Sequence, residues 1–186
     1  LAKKVTEEYP GSTIRCINSL RASMGIGMLA IEAAKFAENG TTADEVAEYI
    51  NGKLNHLHEF CTAHTLDHLK RAGRVKASSA FFGNLFGVKP IIVADADGEQ
   101  AAYKKVKGRS ASLSEIVSLL KEHIRDAENQ TVYLAHADCS QDEVEKIKEM
   151  IRREIPCKEI YVGYIGPIIG ASIGPDAVAV FAFGDE

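Results

Sequence analysis

His56, His58, His64 and His68 fall within thirteen residues of the chain with Cys61 among them, and imidazole and thiolate are both metal ligands. His64 and His68 stand at i and i+4, a spacing that sets two side chains on one helical face. Thr65 occupies the place where the zinc-protease pattern has its acidic base, so the cluster offers ligands without that machinery. His136 and Asp138 close the run LAHAD, where a strand end gives either a site or a solvated tip. GIGMLA, from Gly25 to Ala30, has the form of a loop entering a helix at a dinucleotide site but lacks the third glycine and the partner acid. It keeps a helix start of small residues, Ser23 to Gly27, whose amides suit an anion such as a carboxylate. Arg74 follows Gly73 at another helix end, where a guanidinium fork can grip a carboxylate or phosphate. Phe81, Phe82, Leu85 and Phe86 come next as an aromatic wall. Spacing leaves two readings open, ligand site or ordinary core and surface.

Those residues need elements to hold them. Leu1, Val5 and Tyr9 have helical spacing that Pro10-Gly11 stops, and TIRCIN then alternates like a short strand. Ala22 to Asn39 reads as a helix with Ile26, Leu29, Ala30 and Ala33 on one face, and Thr42 with Glu45 forms a capping box for the next. EFCTAH, KPIIVAD, EQAAYKKVKG, TVYLAHAD and KEIYVGYIG read as strands, and TLDHLKRAG as a short helix closed by Gly73. SAFFGNLFG reads as a buried helical turn. SLSEIVSLLKEHIRDA, with Ser112 as cap, and DEVEKIKEMIRREI supply further helices. The tail YIGPIIGASIGPDAVAVFAF has the length of a membrane span, but Pro167, Pro175, its glycines and Asp176 argue against one. It reads instead as two strands, IGPIIGA and AVAVFAF, joined by the turn SIGPD, with Ser172 facing either the turn or a pocket. The sum is an α/β chain with a mixed sheet and a boundary near residues 56 to 60.

Composition excludes several classes. At 186 residues, 46% hydrophobic and 26% charged, the chain can bury a globular core. Its net charge of −4, with Lys and Arg scattered, offers no basic stripe for nucleic acid. Cys16, Cys61, Cys139 and Cys157 have no disulfide-framework spacing, which points to a reducing cytoplasm. The chain begins without Met or a leader and reads as a piece of a longer protein.

Four stretches, in order, resemble the DegV family of bacterial fatty-acid-binding proteins: INSLRASMGIGMLAIEAA, TLDHLKRAGR, LFGVKPII and IGPIIGASIGP. The resemblance implies the two-domain DegV-like (EDD) fold, here the end of an N-terminal α/β domain over residues 1–57 and a complete C-terminal mixed-sheet α/β domain over residues 58–186. It implies no enzyme and no cofactor. A long-chain fatty acid would be buried between the domains, its carboxylate presented to a fatty-acid kinase catalytic subunit, with no nucleic acid and no stable membrane insertion. Carried onto this sequence, the head-group residues are Arg74, Ser172 and Ser23, to which Lys107, on the strand ending KKVKGR, adds positive charge, and the tail residues are Ile26, Phe81, Phe82, Leu85, Phe86 and Ile169. The resemblance has gaps: Ser172 stands in place of the family histidine, Asn18 of an aspartate and Ala72 of a glycine, and the family's N-terminal head-group loops precede residue 1. The competing class is a small-molecule or phosphotransfer enzyme using the His56 to His68 cluster.

Overall fold

The computed structural model describes residues 2–76 and 87–185. Its strands are β1 Leu57–Thr62, β2 Val88–Ala94, β3 Gln100–Lys107, β4 Thr131–Ala137, β5 Glu159–Tyr164 and β6 Ala177–Phe183. They form one six-stranded sheet in the order β3-β2-β1-β6-β4-β5. The β4 and β5 pair is parallel, as a strand-helix-strand unit requires, and the other neighbours are antiparallel. The mixed α/β class expected from the sequence is the one observed.

Alternation along the strands divides the core into two layers. Phe60, Leu134 and Val180 face helices α5 Arg109–His123 and α6 Gln141–Glu154, meeting Ile116, Leu120, Ile147 and Ile151. Leu57, Cys61, Ala135, Ala179 and Phe181 face the other way. There they meet Met28, Leu29, Ile50, Leu69 and Ile173 from α2 Met24–Ala37, α3 Ala43–Lys53, α4 Asp67–Ala72 and α7 Pro167–Ile173. A short helix, α1 Ala2–Thr6, precedes these. The capping box read at Thr42 forms, with the Glu45 carboxylate accepting from the Thr42 amide at 2.7 Å and the Thr42 hydroxyl accepting from the Glu45 amide at 3.3 Å.

Three local readings are corrected. IGPIIGA is not a strand. It forms α7, because Pro167 sits at the first helical positions, where its fixed φ fits and its missing N–H costs nothing, and Gly174 ends the helix at φ +87°. TIRCIN forms no strand: Ile14 is exposed, the Asn18 side chain turns back toward the Leu20 amide, and Leu20 and Ser23 take positive φ. An extended segment without a ladder partner has no sheet to join. Ser112 caps no helix, because α5 already begins at Arg109 after Gly108 turns at φ +89°, and the Ser112 hydroxyl donates to the Arg109 carbonyl at 2.9 Å. The stretch SAFFGNLFG lies mostly outside the described residues.

Among the described residues no helix is long and apolar enough to cross a membrane.

Candidate ligand-binding site

On the sheet face that carries α2, α4 and α7 there is a cavity of about 510 Å³, within the range of small-molecule sites. Its floor is β1 and β6, through Glu59, Cys61, Ala179 and Phe181. Its walls are Leu69 and the segment 73–76 on one side, Ile165, Ile169, Ser172 and Ile173 on another, and Ala22, Ser23 and the turn 98–100 on a third. Burial pushes the Cys61 thiol up, so this side chain serves as a small apolar wall group and not as a nucleophile.

Local chemistry places each polar group. Gly73 takes the left-handed conformation at φ 63°, and the Arg74 amide donates to the Leu69 carbonyl at 3.0 Å, closing α4 so that Arg74 emerges at the cavity rim. Arg74 Nη1 donates to the Ala72 and Gly73 carbonyls at 3.1 and 3.4 Å, and the other guanidinium nitrogens have no partner among the described residues. Ser23 precedes α2 with no side-chain bond to its own helix, and it lines the cavity at the start of that 14-residue helix. The Ser172 hydroxyl donates back to the Ile168 carbonyl at 3.3 Å. Lys76 bonds alongside β3 through its backbone and reaches Asp95 and Glu99 at 3.1 and 3.0 Å, bracing the third wall.

Four of the expected site residues, Ser23, Arg74, Ile169 and Ser172, thus line one cavity. Two do not. The buried face of α2 is set by Gly25, Met28 and Leu29, and Ile26, about 100° round the helix from Gly25, is 52% exposed. Lys107 lies at the far end of β3 from the lining residue Gln100, roughly 23 Å away at the usual rise per residue. Phe81, Phe82, Leu85 and Phe86 lie outside the described residues. Arg109, on the same strand-to-helix stretch as Lys107, is engaged elsewhere: it grips Glu143 at 2.8 and 2.9 Å and the Asp176 carbonyl at 2.6 Å.

Glu59 was missed, although the sequence held a signal. Period-two alternation puts it on the same face as Leu57 and Cys61, both buried. It is 7% exposed, its Oε1 accepts from Gln100 Nε2 at 3.3 Å, and its Oε2 has no partner among the described residues. Burial pushes this carboxyl up to about 7, against the pull of the Ala22 amide, the Arg21 charge and the Gln100 amide.

The histidines do not converge. His56 bonds the Gly184 carbonyl, His58 the Asp185 carbonyl, His64 lies 4.0 Å from Asp176, and the His68 ring packs against Gly174. Among the described residues the group with metal-ligand spacing is Cys139, Glu143 and Asp176, and there Arg109 already supplies the positive charge.

The sequence model of the DegV family matches residues 1–185. The chain belongs to the DegV family. A DegV domain-containing protein from Clostridium perfringens is 36% identical over 183 residues, 98% of this chain and 62% of that relative, so the chain spans about three-fifths of its length. A fatty-acid-binding DegV family protein from Thermus thermophilus superposes with a TM-score of 0.87 at 23% identity, over 99% of this chain and 65% of the other. The Streptococcus pneumoniae Fatty Acid Kinase (Fak) B3 protein, solved loaded with linoleic acid, gives a TM-score of 0.83 at 19% identity, over 99% and 65%. The fold of this DegV chain is therefore the one those structures share.

Proposed function

We propose that the chain is the larger part of a protein that binds a long-chain fatty acid and presents its carboxylate to a fatty-acid kinase catalytic subunit. The carrying observation is the cavity itself, where apolar side chains of the floor and walls (Cys61, Leu69, Ile169, Ile173, Ala179, Phe181) meet Arg74, Ser23 and Ser172. Burying about sixteen methylenes yields on the order of 10 kcal/mol before ordering costs, so the tail supplies affinity. A carboxylate is costly to bury alone, and Arg74 with the Ser23 and Ser172 hydroxyls holds it. Bound fatty acid in relatives of the same fold supports the reading, and the name of the pneumococcal relative supports a kinase partner. On this reading the chain does no chemistry itself and works in the cytoplasm. Residues 1–57 close an N-terminal domain and residues 58–186 form the C-terminal one.

The test is solvent extraction of the full-length protein, denatured after purification from bacteria. Stoichiometric long-chain fatty acid is the expected result. Repeated recovery of none, with a nucleotide or metal found instead, overturns the proposal.

A further inference from the structure

The cavity floor contains a group that a plain hydrocarbon chain does not satisfy. Glu59 stands on β1 opposite Phe181 of β6, with Cys61 and Ala179 beside it, all lining the same space. More than nine-tenths of it is buried, and its Oε2 has no hydrogen-bond partner among the described residues. Gln100 meets the other oxygen and the Ala22 amide lies close to the carboxyl, so the group is held in place while Oε2 makes no hydrogen bond of good geometry among the described residues. A buried acceptor without a partner is costly, and methylenes laid over it would seal it from water while offering nothing in exchange.

We propose that the natural ligand is a fatty acid bearing a hydroxyl group part-way along its chain, and that Glu59 Oε2 receives that hydroxyl. The proposal rests on the fatty-acid reading above and names the class of acid. A hydroxyl suits the site for a chemical reason: it donates to Glu59 as a carboxylate and accepts from it as a carboxylic acid, so either protonation state is satisfied. A chain ammonium would require the ionised form, and Arg21 already places positive charge nearby. Arg74 at the rim and Glu59 on the floor then read two oxygens of one molecule, the head carboxylate and the chain hydroxyl.

The experiment is competitive binding by the delipidated full-length protein of octadecanoic acid and a panel of octadecanoic acids hydroxylated at successive carbons. At least one positional isomer is expected to bind roughly ten- to a hundredfold tighter than the unsubstituted acid. Glu59→Leu should abolish that preference and tighten octadecanoic acid, while Glu59→Gln, which keeps an acceptor, should retain part of it. The panel on the parent protein decides the matter even if Glu59→Leu does not fold. Octadecanoic acid binding as tightly as every hydroxylated isomer overturns this proposal and leaves the fatty-acid reading standing. Binding of no acid at all overturns both.

Discussion

Gly98 is seated against Leu20: a Cβ added at position 98 would stand 2.7 Å from the Leu20 Cα, and the glycine holds φ at +79°. The turn is pinned from within, because Asp95 Oδ1 accepts from the amides of Asp97 and Glu99 at 3.0 and 2.9 Å. The hairpin of β2 and β3 therefore closes on the segment entering α2, and the cavity gains its third wall where the two meet.

Gly98→Ala should destabilise the protein by about 1–3 kcal/mol, from left-handed strain plus a clash with backbone that cannot rotate away. Gly40→Ala is the control, since Gly40 has φ +77° with nothing within 4 Å of an added Cβ. It should cost about 1 kcal/mol and leave fatty-acid binding unchanged. Denaturant unfolding of both variants measures this, and equal losses would show that the seat at Leu20 is loose.

Arg74→Ala should weaken fatty-acid binding roughly ten- to a hundredfold, the value of a charge-assisted hydrogen bond. Ser172→Ala should cost about 1 kcal/mol. Ser172→His should add a component of binding that strengthens as pH falls through the imidazole range, because a neutral hydroxyl is replaced by a group that becomes cationic. Titration calorimetry on the full-length protein at two pH values distinguishes the three. Parent affinity in Arg74→Ala would move the head-group anchor to the start of α2.

Glu59 makes stability fall as pH rises. Its folded pKa, about 7, lies above the ordinary carboxyl value of 4.5, so between those values the native state holds a proton that the unfolded chain releases. Stability from this group is fully present below about pH 4.5 and is lost as pH climbs through about 7, by roughly 3 kcal/mol. Glu59→Gln should flatten that slope in chemical denaturation of the delipidated protein. An unchanged slope would mean the carboxyl is not desolvated.

Arg109→Met should cost about 3–5 kcal/mol, because Glu143 and the Asp176 carbonyl lose a mostly buried partner that ties α5 to α6 and to the turn before β6. Fatty-acid affinity should stay within about twofold of the parent, since Arg109 does not line the cavity. The Arg109 guanidinium holds the Glu143 carboxyl below its usual range, so the stability of this pair is present above pH 4.5 and lost as pH falls. The variant should lack that acid-side loss in thermal unfolding.

The strands of the sheet were legible because each is bounded by turn residues and rich in β-branched or alternating apolar side chains, as VKPIIVA and AVAVFAF are. The helix at Pro167 was not, because Ile-Gly-Pro-Ile-Ile reads as strand by composition and only its context places Pro167 at a first helical turn. Arg74 was legible through Gly73, whose left-handed end fixes where the next side chain emerges. Ile26 and Lys107 do not line this cavity, for geometric reasons. A single helix position and the far end of an edge strand take their direction from packing and length, which residue type does not convey. Glu59 escaped notice because a glutamate in a short strand ordinarily faces solvent, and its burial follows only once Leu57 and Cys61 are known to share its side.

The position of β6 has a consequence for how the molecule comes into being. Leu57 of β1 pairs with Phe183, and β4 pairs with the same strand, so the middle of the sheet is closed by one of the latest-synthesised of the described segments. Until then β1 and β4 each present an open edge, and contacts so distant along the chain form slowly. The binding floor, which needs Ala179 and Phe181, exists only after that closure. On the proposed function, lipid therefore cannot template the early steps on the ribosome, and a chain stalled before β6 is a substrate for chaperones and proteases.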